Sequence, residues 1–309
     1  EPVAGPGQVV VDIKATGISF PDVLIVQGLY QFKPPFPFSP GSEISGVVSS
    51  VGEGVTMHKE GDRVMGSIGS GGLREKGVYL EQQLMPLPET MDFNTAAGFP
   101  LNYGTTYHAF KQRGELKAGQ SVLVLGAGGG LGITAIHIAK AMGAKVIAAA
   151  SSQEKIDLCK KEGADEGIIY EREMDRDLQK KFSDQIKEVT GGGVDMIYDL
   201  VGGDYAEPAL RAIARHGKYL VIGFTAGIPK MPLNLTLLKE CQIVGVFWGQ
   251  FAGVEYAENQ QNFKELFDLH AEGKIKPFVT ETYSLDESAA AIKTLEDRKV
   301  LGKVVVSME

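Results

Sequence analysis

Short apolar runs alternate with amphipathic stretches through the middle of the chain. Six runs predict β-strands at residues 121–125, 145–149, 167–170, 194–200, 218–223 and 242–247. Between them, apolar residues recur at helical spacing, as over 133–142 and in a long polar stretch over about 175–189. Apolar strands separated by helices are typical of a parallel sheet that is covered on both faces. The pattern therefore predicts an α/β, doubly wound dinucleotide-binding domain.

The two ends of the chain have a different pattern. Residues 1–98 contain β-like runs at 8–15, 45–51 and 63–65, which are joined by Gly- and Pro-rich turns without strand–helix alternation. The stretch 278–307 returns to short β runs around one small helix over 287–298. We therefore predict a mostly-β domain built from residues 1–103 and 272–309, with the dinucleotide-binding domain, residues 104–271, inserted between its two parts.

Composition excludes several classes of protein. The 309 residues include 39 acidic and 31 basic side chains, and the net charge of −8 argues against binding to a nucleic-acid backbone. The two cysteines, Cys159 and Cys241, are too few for a disulfide framework or a cysteine-rich zinc site. No apolar run reaches the roughly 18 residues that a membrane-spanning helix needs. The composition is that of an ordinary soluble globular protein.

A glycine-rich turn follows the first predicted strand of the dinucleotide-binding domain. It reads Gly126-Ala127-Gly128-Gly129-Gly130-Leu131-Gly132 and leads directly into a predicted helix. Glycine lets the backbone approach a pyrophosphate closely, and the start of a helix offers unpaired N–H groups. Although the common G-x-G-x-x-G spacing is not met, the positions predicted to bind the cofactor are Gly126, Gly128, Gly129, Gly130, Leu131 and Gly132. The alternative is a tight turn that binds nothing.

The residues after the second strand indicate which dinucleotide is bound. Sites for NAD place an Asp or Glu about 20 residues beyond the glycine turn, where it binds the ribose. Here Ala150, Ser151 and Ser152 occupy that place, and Lys155 follows. Two hydroxyls and an ammonium favour NADPH over NADH, because they can bind the 2′-phosphate that only NADPH has. We therefore predict that Ser151, Ser152 and Lys155 bind NADPH. The alternative for Lys155 is a solvated helix residue. Glu154 lies three residues after Ser151, and we assign it to a capping box with that serine.

Several further motifs, in this order along the chain, are specific to one family. They are Ser19-Phe20-Pro21-Asp22, Gln27-Gly28-Leu29-Tyr30, Pro40-Gly41-Ser42-Glu43, Gly61-Asp62-Arg63-Val64, Asp199-Leu200-Val201-Gly202-Gly203, Gly223-Phe224 and Gly302-Lys303-Val304-Val305. With them, the chain resembles the zinc-free quinone oxidoreductase (zeta-crystallin-like) branch of the medium-chain dehydrogenase/reductase superfamily over essentially its whole length. The resemblance implies a Rossmann nucleotide domain inserted in a mostly-β, GroES-like catalytic domain.

The resemblance also implies a location and a partner. The family pattern begins before the segment that matches Glu1 and Pro2, so we expect the first strands to be missing from this sequence. We expect a cytoplasmic protein, with a mitochondrial location as the alternative because a targeting signal would lie in the missing part.

The apolar edge at 244–247 would be an aggregation hazard if left unpaired, which favours the homodimer that relatives form through this edge.

The resemblance predicts that no catalytic zinc is bound. Zinc-dependent members of the superfamily have cysteine at the position of Ser19 and histidine at that of Ser42, and hydroxyls are poor substitutes for these ligands. Glu43 is retained, but the other ligands that a zinc ion would need beside it are missing, and Asp22 is expected to be a structural hydrogen-bonding residue. The five histidines of the chain show no metal-ligand spacing.

Further site residues follow from matching positions in the family. The nicotinamide end is expected near the catalytic residues Ser19, Tyr30 and Thr105, in the cleft between the domains. Tyr30 would orient or protonate the product oxygen. Zinc-free relatives more often have asparagine at the position of Ser19, and Thr105 has an alternative role as a helix cap. The other positions expected to bind NADPH are Tyr170, beside the 2′-phosphate, and Gly223, Phe224, Thr225, Phe247, Trp248, Gly249 and Lys303.

The expected activity is the reduction of quinones or α,β-unsaturated carbonyl compounds by hydride transfer from NADPH without a metal. In such acceptors the charge that arrives with the hydride is delocalised, so hydrogen-bond donors suffice to stabilise it. One alternative is a reductase of activated alkenes such as enoyl or haloacrylic acids. Another is a largely non-catalytic NADPH-binding protein with a structural, RNA-binding or membrane-associated role, although the acidic net charge counts against RNA.

Overall fold

Two units make up the computed structural model, which describes residues 1–308. The first unit comprises Glu1–Leu101 and the carboxyl-terminal segment from Pro277 onward, and the second comprises Asn102–Lys276. The sequence pattern places the corresponding boundaries after residues 103 and 271. Within the described part of the chain, no helix combines the length and the apolar character needed to cross a bilayer.

A seven-stranded sheet forms the first unit. Its strands are β1 (Gln8–Ile18), β2 (Glu43–Val51), β3 (Arg63–Ser67), β4 (Lys76–Leu80), β5 (Leu84–Pro86), β12 (Glu281–Ser284) and β13 (Val304–Ser307). Its helices are α1 (Phe20–Val26), α2 (Phe93–Ala97) and α11 (Ser288–Glu296), with 3₁₀ turns at Glu81–Gln83 and Leu285–Glu287. The strand order is β12-β13-β1-β2-β3-β5, β4 pairs with the first half of β1, and every pair except β12–β13 is antiparallel.

Burial explains why β1 is the central strand of this sheet. On one face, Val9, Val11 and Ile13 pack with residues of β2 and β3 in a buried cluster. Beyond the irregularity between Ile13 and Ala15, Ala15 belongs to a separate buried cluster, in which it packs with Ala97 of α2. The sequence pattern missed α1 and α2 because helices of seven and five residues are too short to show helical periodicity.

The second unit contains a six-stranded sheet in which every neighbouring pair is parallel. Its strands are β6 (Ser121–Leu125), β7 (Lys145–Ala150), β8 (Glu166–Ile169), β9 (Val194–Asp199), β10 (Ile213–Val221) and β11 (Gln242–Gly245), in the spatial order β11-β10-β9-β6-β7-β8. The strand order reverses between β6 and β9, so the carboxyl ends of these two strands form the switch point where such sheets bind ligands.

Helices connect these strands in the expected alternation. They are α3 (Pro100–His108), which continues as a π-helix over Ala109–Gly114, α4 (Gly130–Ala141), α5 (Gln153–Lys161), α6 (Arg176–Thr190), α7 (Ala206–Arg211), α8 (Asn234–Lys239), α9 (Trp248–Val254) and α10 (Tyr256–Ala271), with a 3₁₀ turn at Gly203–Tyr205. Leu123, Ile147 and Ile197 of the central strands are fully buried. The doubly wound α/β fold class predicted from the sequence is therefore confirmed.

Candidate dinucleotide site and buried ion pair

The glycine turn connects the end of β6 to α4. The helix begins at Gly130, with Gly129 as its N-cap residue. Gly126 has a φ of +76°, a conformation that favours glycine. A Cβ at Gly132 would lie 2.4 Å from the carbonyl oxygen of Ala127 and 2.5 Å from that of Gly126. The turn can be this tight only because these positions lack side chains.

The first turn of α4 offers unpaired hydrogen-bond donors. Within residues 1–308, the N–H groups of Gly130, Leu131 and Gly132 have no hydrogen-bond partner, whereas the N–H of Ile133 bonds to the carbonyl of Gly129. Among the described residues, no side chain caps this end of the helix. Because such a helix start binds phosphate through its amides and its dipole, the residues present fit the pyrophosphate of a dinucleotide.

Lys155 lies against the glycine turn. A Cβ at Gly128 would be 2.8 Å from the Cβ of Lys155, so the stem of this half-buried lysine crosses the turn where glycine leaves room. Ser152 Oγ accepts a hydrogen bond from Lys155 N at 3.3 Å, which makes Ser152 the N-cap residue of α5. The predicted capping box of Ser151 with Glu154 is therefore wrong, because the helix begins one residue later than that pairing requires.

Arg172 is a second cation of this corner, which no sequence motif covers. Burial and the positive charge of Arg172 lower the pKa of Lys155, so the two side chains lie within electrostatic range of each other. Tyr205 Oη donates hydrogen bonds to the carbonyl oxygens of Glu171 and Arg172, at 2.9 and 2.8 Å, and so holds this backbone in place. Tyr170 packs its ring on Tyr205, with the ring centroids 4.7 Å apart.

Asp199 organises the loop that follows β9. Its carboxylate accepts hydrogen bonds from Val201 N at 2.7 Å and Tyr219 Oη at 2.5 Å, and its carbonyl accepts one from Gly223 N at 3.2 Å. Burial raises the pKa of Asp199. A Cβ at Gly126 would lie 3.1 Å from Val201 Cγ2. The loop that contains Val201 therefore borders the glycine turn, and Gly223 is tied to it.

Phe224 and Thr225 follow Gly223 in the loop after β10. Both N and Oγ1 of Thr225 donate hydrogen bonds to the carbonyl of Leu200, at 3.3 and 3.2 Å. The ring of Phe224 is exposed. The loop after β10 is thereby tied to the loop after β9, and an apolar ring is left at the surface beside them.

Phe247, Trp248 and Gly249 lie at the start of α9 and differ in their surroundings. Phe247 is exposed, whereas Trp248 is buried. The indole N–H of Trp248 donates to Asn259 Oδ1 at 2.9 Å, and its ring fills the space that a Cβ at Gly104 would need. Trp248 therefore packs in the interior of the second unit. Cofactor binding by Phe247, Trp248 and Gly249 stays a prediction.

A buried ion pair joins distant parts of the first unit. Lys303 Nζ donates hydrogen bonds to Glu43 Oε2 at 2.6 Å and to Ser19 Oγ at 2.7 Å. Ser19 Oγ donates to the same Glu43 oxygen at 3.1 Å, and Glu43 Oε1 accepts the N–H of Leu101 at 2.7 Å. A lysine near the carboxyl terminus thus supplies the counter-charge of Glu43, a pairing that no sequence motif indicated. Cofactor binding by Lys303 stays a prediction.

Asp22 is the second buried carboxyl group of this cluster. It accepts hydrogen bonds from Ser19 N at 2.9 Å, Gly41 N at 3.0 Å and Ser42 Oγ at 3.2 Å, which confirms its predicted structural role. Burial raises the pKa of Asp22 to about 6, although the hydrogen bonds from the backbone and the charge of Lys303 oppose this rise.

Replacing Asp22 with asparagine should flatten the dependence of stability on pH between about 4 and 6. Because the folded-state pKa is about 6 and the ordinary value is 3.8, the folded protein holds a proton in this window that the unfolded chain has lost. The free energy of unfolding of the wild type should therefore fall as the pH rises, by about 3 kcal/mol from this group at roughly 1.4 kcal/mol per pKa unit. Urea unfolding across this pH range measures the slope; equal slopes for the wild type and Asp22→Asn would contradict the assignment.

The three residues expected to be catalytic are divided between the two units. Ser19 belongs to the buried ion-pair cluster, and Tyr30 is half-buried in the same unit. Burial and the negative charge of Asp22 raise the pKa of Tyr30, so its phenol keeps its proton. Thr105 lies in the second unit, in the interior of α3, which begins at Pro100; its alternative role as a helix cap is therefore wrong.

The buried cluster does not fit a catalytic zinc ion. Such an ion takes three protein ligands with thiolate, imidazole or carboxylate donors. Ser19 and Ser42 offer hydroxyls, and the oxygen of Glu43 that faces them already accepts a hydrogen bond from the ammonium of Lys303. Over the described range 1–308, no group of three His, Cys, Asp or Glu side chains could hold a metal ion.

Comparison with known proteins identifies the family. The model of the alcohol dehydrogenase GroES-like domain matches residues 5–89, within the first unit. The model of the zinc-binding dehydrogenase matches residues 130–272, within the second unit. Both halves of the predicted architecture thus have counterparts among known domains.

Similar proteins cover almost the whole chain. The quinone oxidoreductase-like protein 2 homolog of Nematostella vectensis is 37% identical over 308 residues, which cover 98% of this chain and 82% of that protein. The structure of a probable oxidoreductase from Mycobacterium abscessus has a TM-score of 0.88 at 38% identity, covering 99% of this chain and 92% of that one. The structure of Escherichia coli quinone oxidoreductase complexed with NADPH has a TM-score of 0.90 at 30% identity, covering 99% and 94%. This chain belongs to the zinc-free quinone oxidoreductase branch of the medium-chain dehydrogenase/reductase superfamily.

Proposed function

We propose that this protein is an NADPH-dependent oxidoreductase that reduces quinones or α,β-unsaturated carbonyl compounds by metal-free hydride transfer. The observation that carries the proposal is Lys155 against the glycine turn, with Arg172 within electrostatic range of it and with serines where sites for NAD have a carboxylate. The NADPH complexes of the Escherichia coli quinone oxidoreductase and of a mycobacterial neighbour support it.

Each part of the corner would hold one part of NADPH. The N–H groups at the start of α4 would bind the pyrophosphate, and the cations with Ser151, Ser152 and Tyr170 would surround the 2′-phosphate. The positions proposed along the rest of the groove are Gly126, Gly128, Gly129, Gly223, Phe224, Thr225, Phe247, Trp248 and Gly249. When bound, the dinucleotide supplies the hydride, and the protein supplies position and a dry surrounding.

The buried cluster of Ser19, Asp22, Glu43 and Lys303 offers hydrogen-bond donors but no set of zinc ligands, which favours substrates that accept a hydride without the help of a metal. Hydrogen-bond donors can stabilise the charge that develops on a quinone or an enone, because conjugation spreads that charge. Ser19, Tyr30 and Thr105 stay the proposed catalytic residues. Tyr30, whose raised pKa keeps its proton in place, would orient the product oxygen or protonate it.

The proposed activity is tested by following the loss of NADPH absorbance with a panel of acceptors. We expect turnover with a benzoquinone, a naphthoquinone and simple enones, and much slower turnover with NADH. The same rates should be measured after dialysis against a chelator, because no metal is required. A chelator-sensitive rate would contradict metal-free transfer.

The panel also separates the alternatives. Turnover limited to enoyl or haloacrylic substrates would replace the proposed acceptor class with activated alkenes. If no acceptor oxidises NADPH while NADPH fluorescence still reports binding, the protein is a cofactor-binding protein without this activity. If NADPH does not bind at all, the assignment of the glycine turn fails.

We further propose a homodimer formed through the edge of the parallel sheet. β11 lies at one end of this sheet, and exposed apolar side chains occur on α8, which precedes it, and in the loop that follows it. They include Leu237 and Leu238, which are exposed by 76% and 69%, and Phe247, exposed by 54%. An unpaired apolar edge of this kind is a hazard for aggregation unless a second copy covers it.

A cytoplasmic location stays a prediction.

A further inference from the structure

Three successive charged residues lie in the loop between β8 and α6. They are Glu171, Arg172 and Glu173, and all three side chains are exposed. Of these three charges, only that of Arg172 changes the pKa of Lys155, so the arginine approaches the lysine and the two carboxylates lie farther from it. The direction in which this loop presents its side chains therefore decides whether a phosphate beside Lys155 meets a second cation or a carboxylate.

The hydroxyl of Tyr205 holds the backbone of this loop. Tyr205 Oη lies 2.9 Å from the carbonyl oxygen of Glu171 and 2.8 Å from that of Arg172, and it shares its one proton between them. These carbonyls belong to the two peptide units on either side of the Arg172 Cα. Because each peptide unit is planar, holding both of them restrains the two backbone torsions of Arg172 and with them the direction of its side chain. Over residues 1–308, neither carbonyl accepts a further hydrogen bond.

Tyr205 is itself anchored firmly enough to act as such a restraint. Its side chain is buried in the core of the second unit. The 3₁₀ turn that contains it is tied to the loop after β10, because Gly203 N donates a hydrogen bond to the carbonyl of Gly227 at 2.8 Å. Its ring packs on Tyr170, whose own ring meets Phe182 of α6 edge-on. The hydroxyl therefore has a fixed position relative to β8 and α6.

The guanidinium of Arg172 is open to a ligand. Within the part of the chain that the structure describes, it forms no ion pair and no hydrogen bond. Its positive charge and that of Lys155 repel each other, and a phosphate bound between them would remove this repulsion. A guanidinium is also suited to a phosphate because it presents paired N–H donors in a fixed geometry.

We infer that Tyr205 is a positioning residue for the recognition of NADPH, whose hydroxyl holds the Arg172 backbone so that the guanidinium, and not a neighbouring carboxylate, faces the 2′-phosphate. This inference rests on the proposed function. Tyr205 acts through Arg172, because its hydroxyl proton is already shared between two carbonyl oxygens. The preference for NADPH over NADH then depends on a buried residue of the loop after β9 as well as on the two cations.

The variant Tyr205→Phe tests this inference, because it removes the hydroxyl and keeps the ring. We expect the Kd of NADPH to rise by about 3- to 10-fold, as for the loss of one neutral hydrogen bond, while the Kd of NADH changes less than about twofold. Arg172→Ala should raise the Kd of NADPH by about 10-fold or more, and adding Tyr205→Phe to it should change that value less than about twofold. Tyr107→Phe removes another buried hydroxyl of the second unit, which donates to Glu265, and should leave both constants unchanged.

Fluorescence titration of each variant with both dinucleotides measures these constants. The ratio of the two Kd values is taken from one preparation, so a partly unfolded fraction lowers the concentration of sites and leaves the ratio unchanged.

Three outcomes would overturn the inference. An unchanged Kd of NADPH in Tyr205→Phe would show that the loop keeps its direction without the hydroxyl. Equal rises for NADPH and NADH would show that the hydroxyl supports the whole site rather than the recognition of the 2′-phosphate. Additive effects of Tyr205→Phe and Arg172→Ala would show that Tyr205 does not act through Arg172. A wild type that binds NADPH no more tightly than NADH would instead refute the proposed function.

Discussion

Replacing Glu43 with alanine should lower the free energy of unfolding by about 3–5 kcal/mol, the range found when one partner of a buried ion pair is removed. Glu43 is fully buried, and its loss would leave the ammonium of Lys303 and the N–H of Leu101 without their acceptors. Urea unfolding at neutral pH, with the midpoint and the slope both fitted, measures the effect.

Two further variants establish that the effect comes from an uncompensated buried charge. The double variant Glu43→Leu/Lys303→Met replaces the pair with apolar side chains and should recover much of the lost stability. Glu207→Ala breaks an exposed pair with Arg211 on α7 and should cost at most about 1 kcal/mol. If Glu43→Ala costs no more than Glu207→Ala, the buried pair contributes little to stability.

Elements whose pattern is local could be predicted from the sequence. The central strands of the parallel sheet, β6, β7 and β9, are short apolar runs that are buried on both faces, so each one is visible in its own residues. The glycine turn was visible for the same reason, since its tight geometry depends on glycines that are neighbours in the chain. α1 was missed because its seven residues form only about two turns, too few to show helical periodicity.

Features that depend on contacts between distant residues could not be predicted in this way. Glu43 and Lys303 are 260 positions apart, and neither position shows in sequence that the other is its counter-charge. Arg172 approaches Lys155 only because β7 and β8 lie side by side in the sheet. The helix cap at Ser152 was misplaced by one residue because two adjacent serines offer the same side chain, and the backbone conformation decides between them.

Replacing Lys155 with alanine should raise the Kd of NADPH by about 10- to 100-fold, because one charge-assisted hydrogen bond to a phosphate contributes roughly 1.5–3 kcal/mol. The Kd of NADH, which has no 2′-phosphate, should change less than about threefold. Lys161→Ala, at an exposed lysine in the last turn of the same helix, is the matched control and should alter neither value. Fluorescence titration of the wild type and the two variants with both dinucleotides measures the six dissociation constants at one ionic strength. Equal losses for NADPH and NADH would show that Lys155 shapes the glycine turn through its stem at Gly128 rather than binding the phosphate.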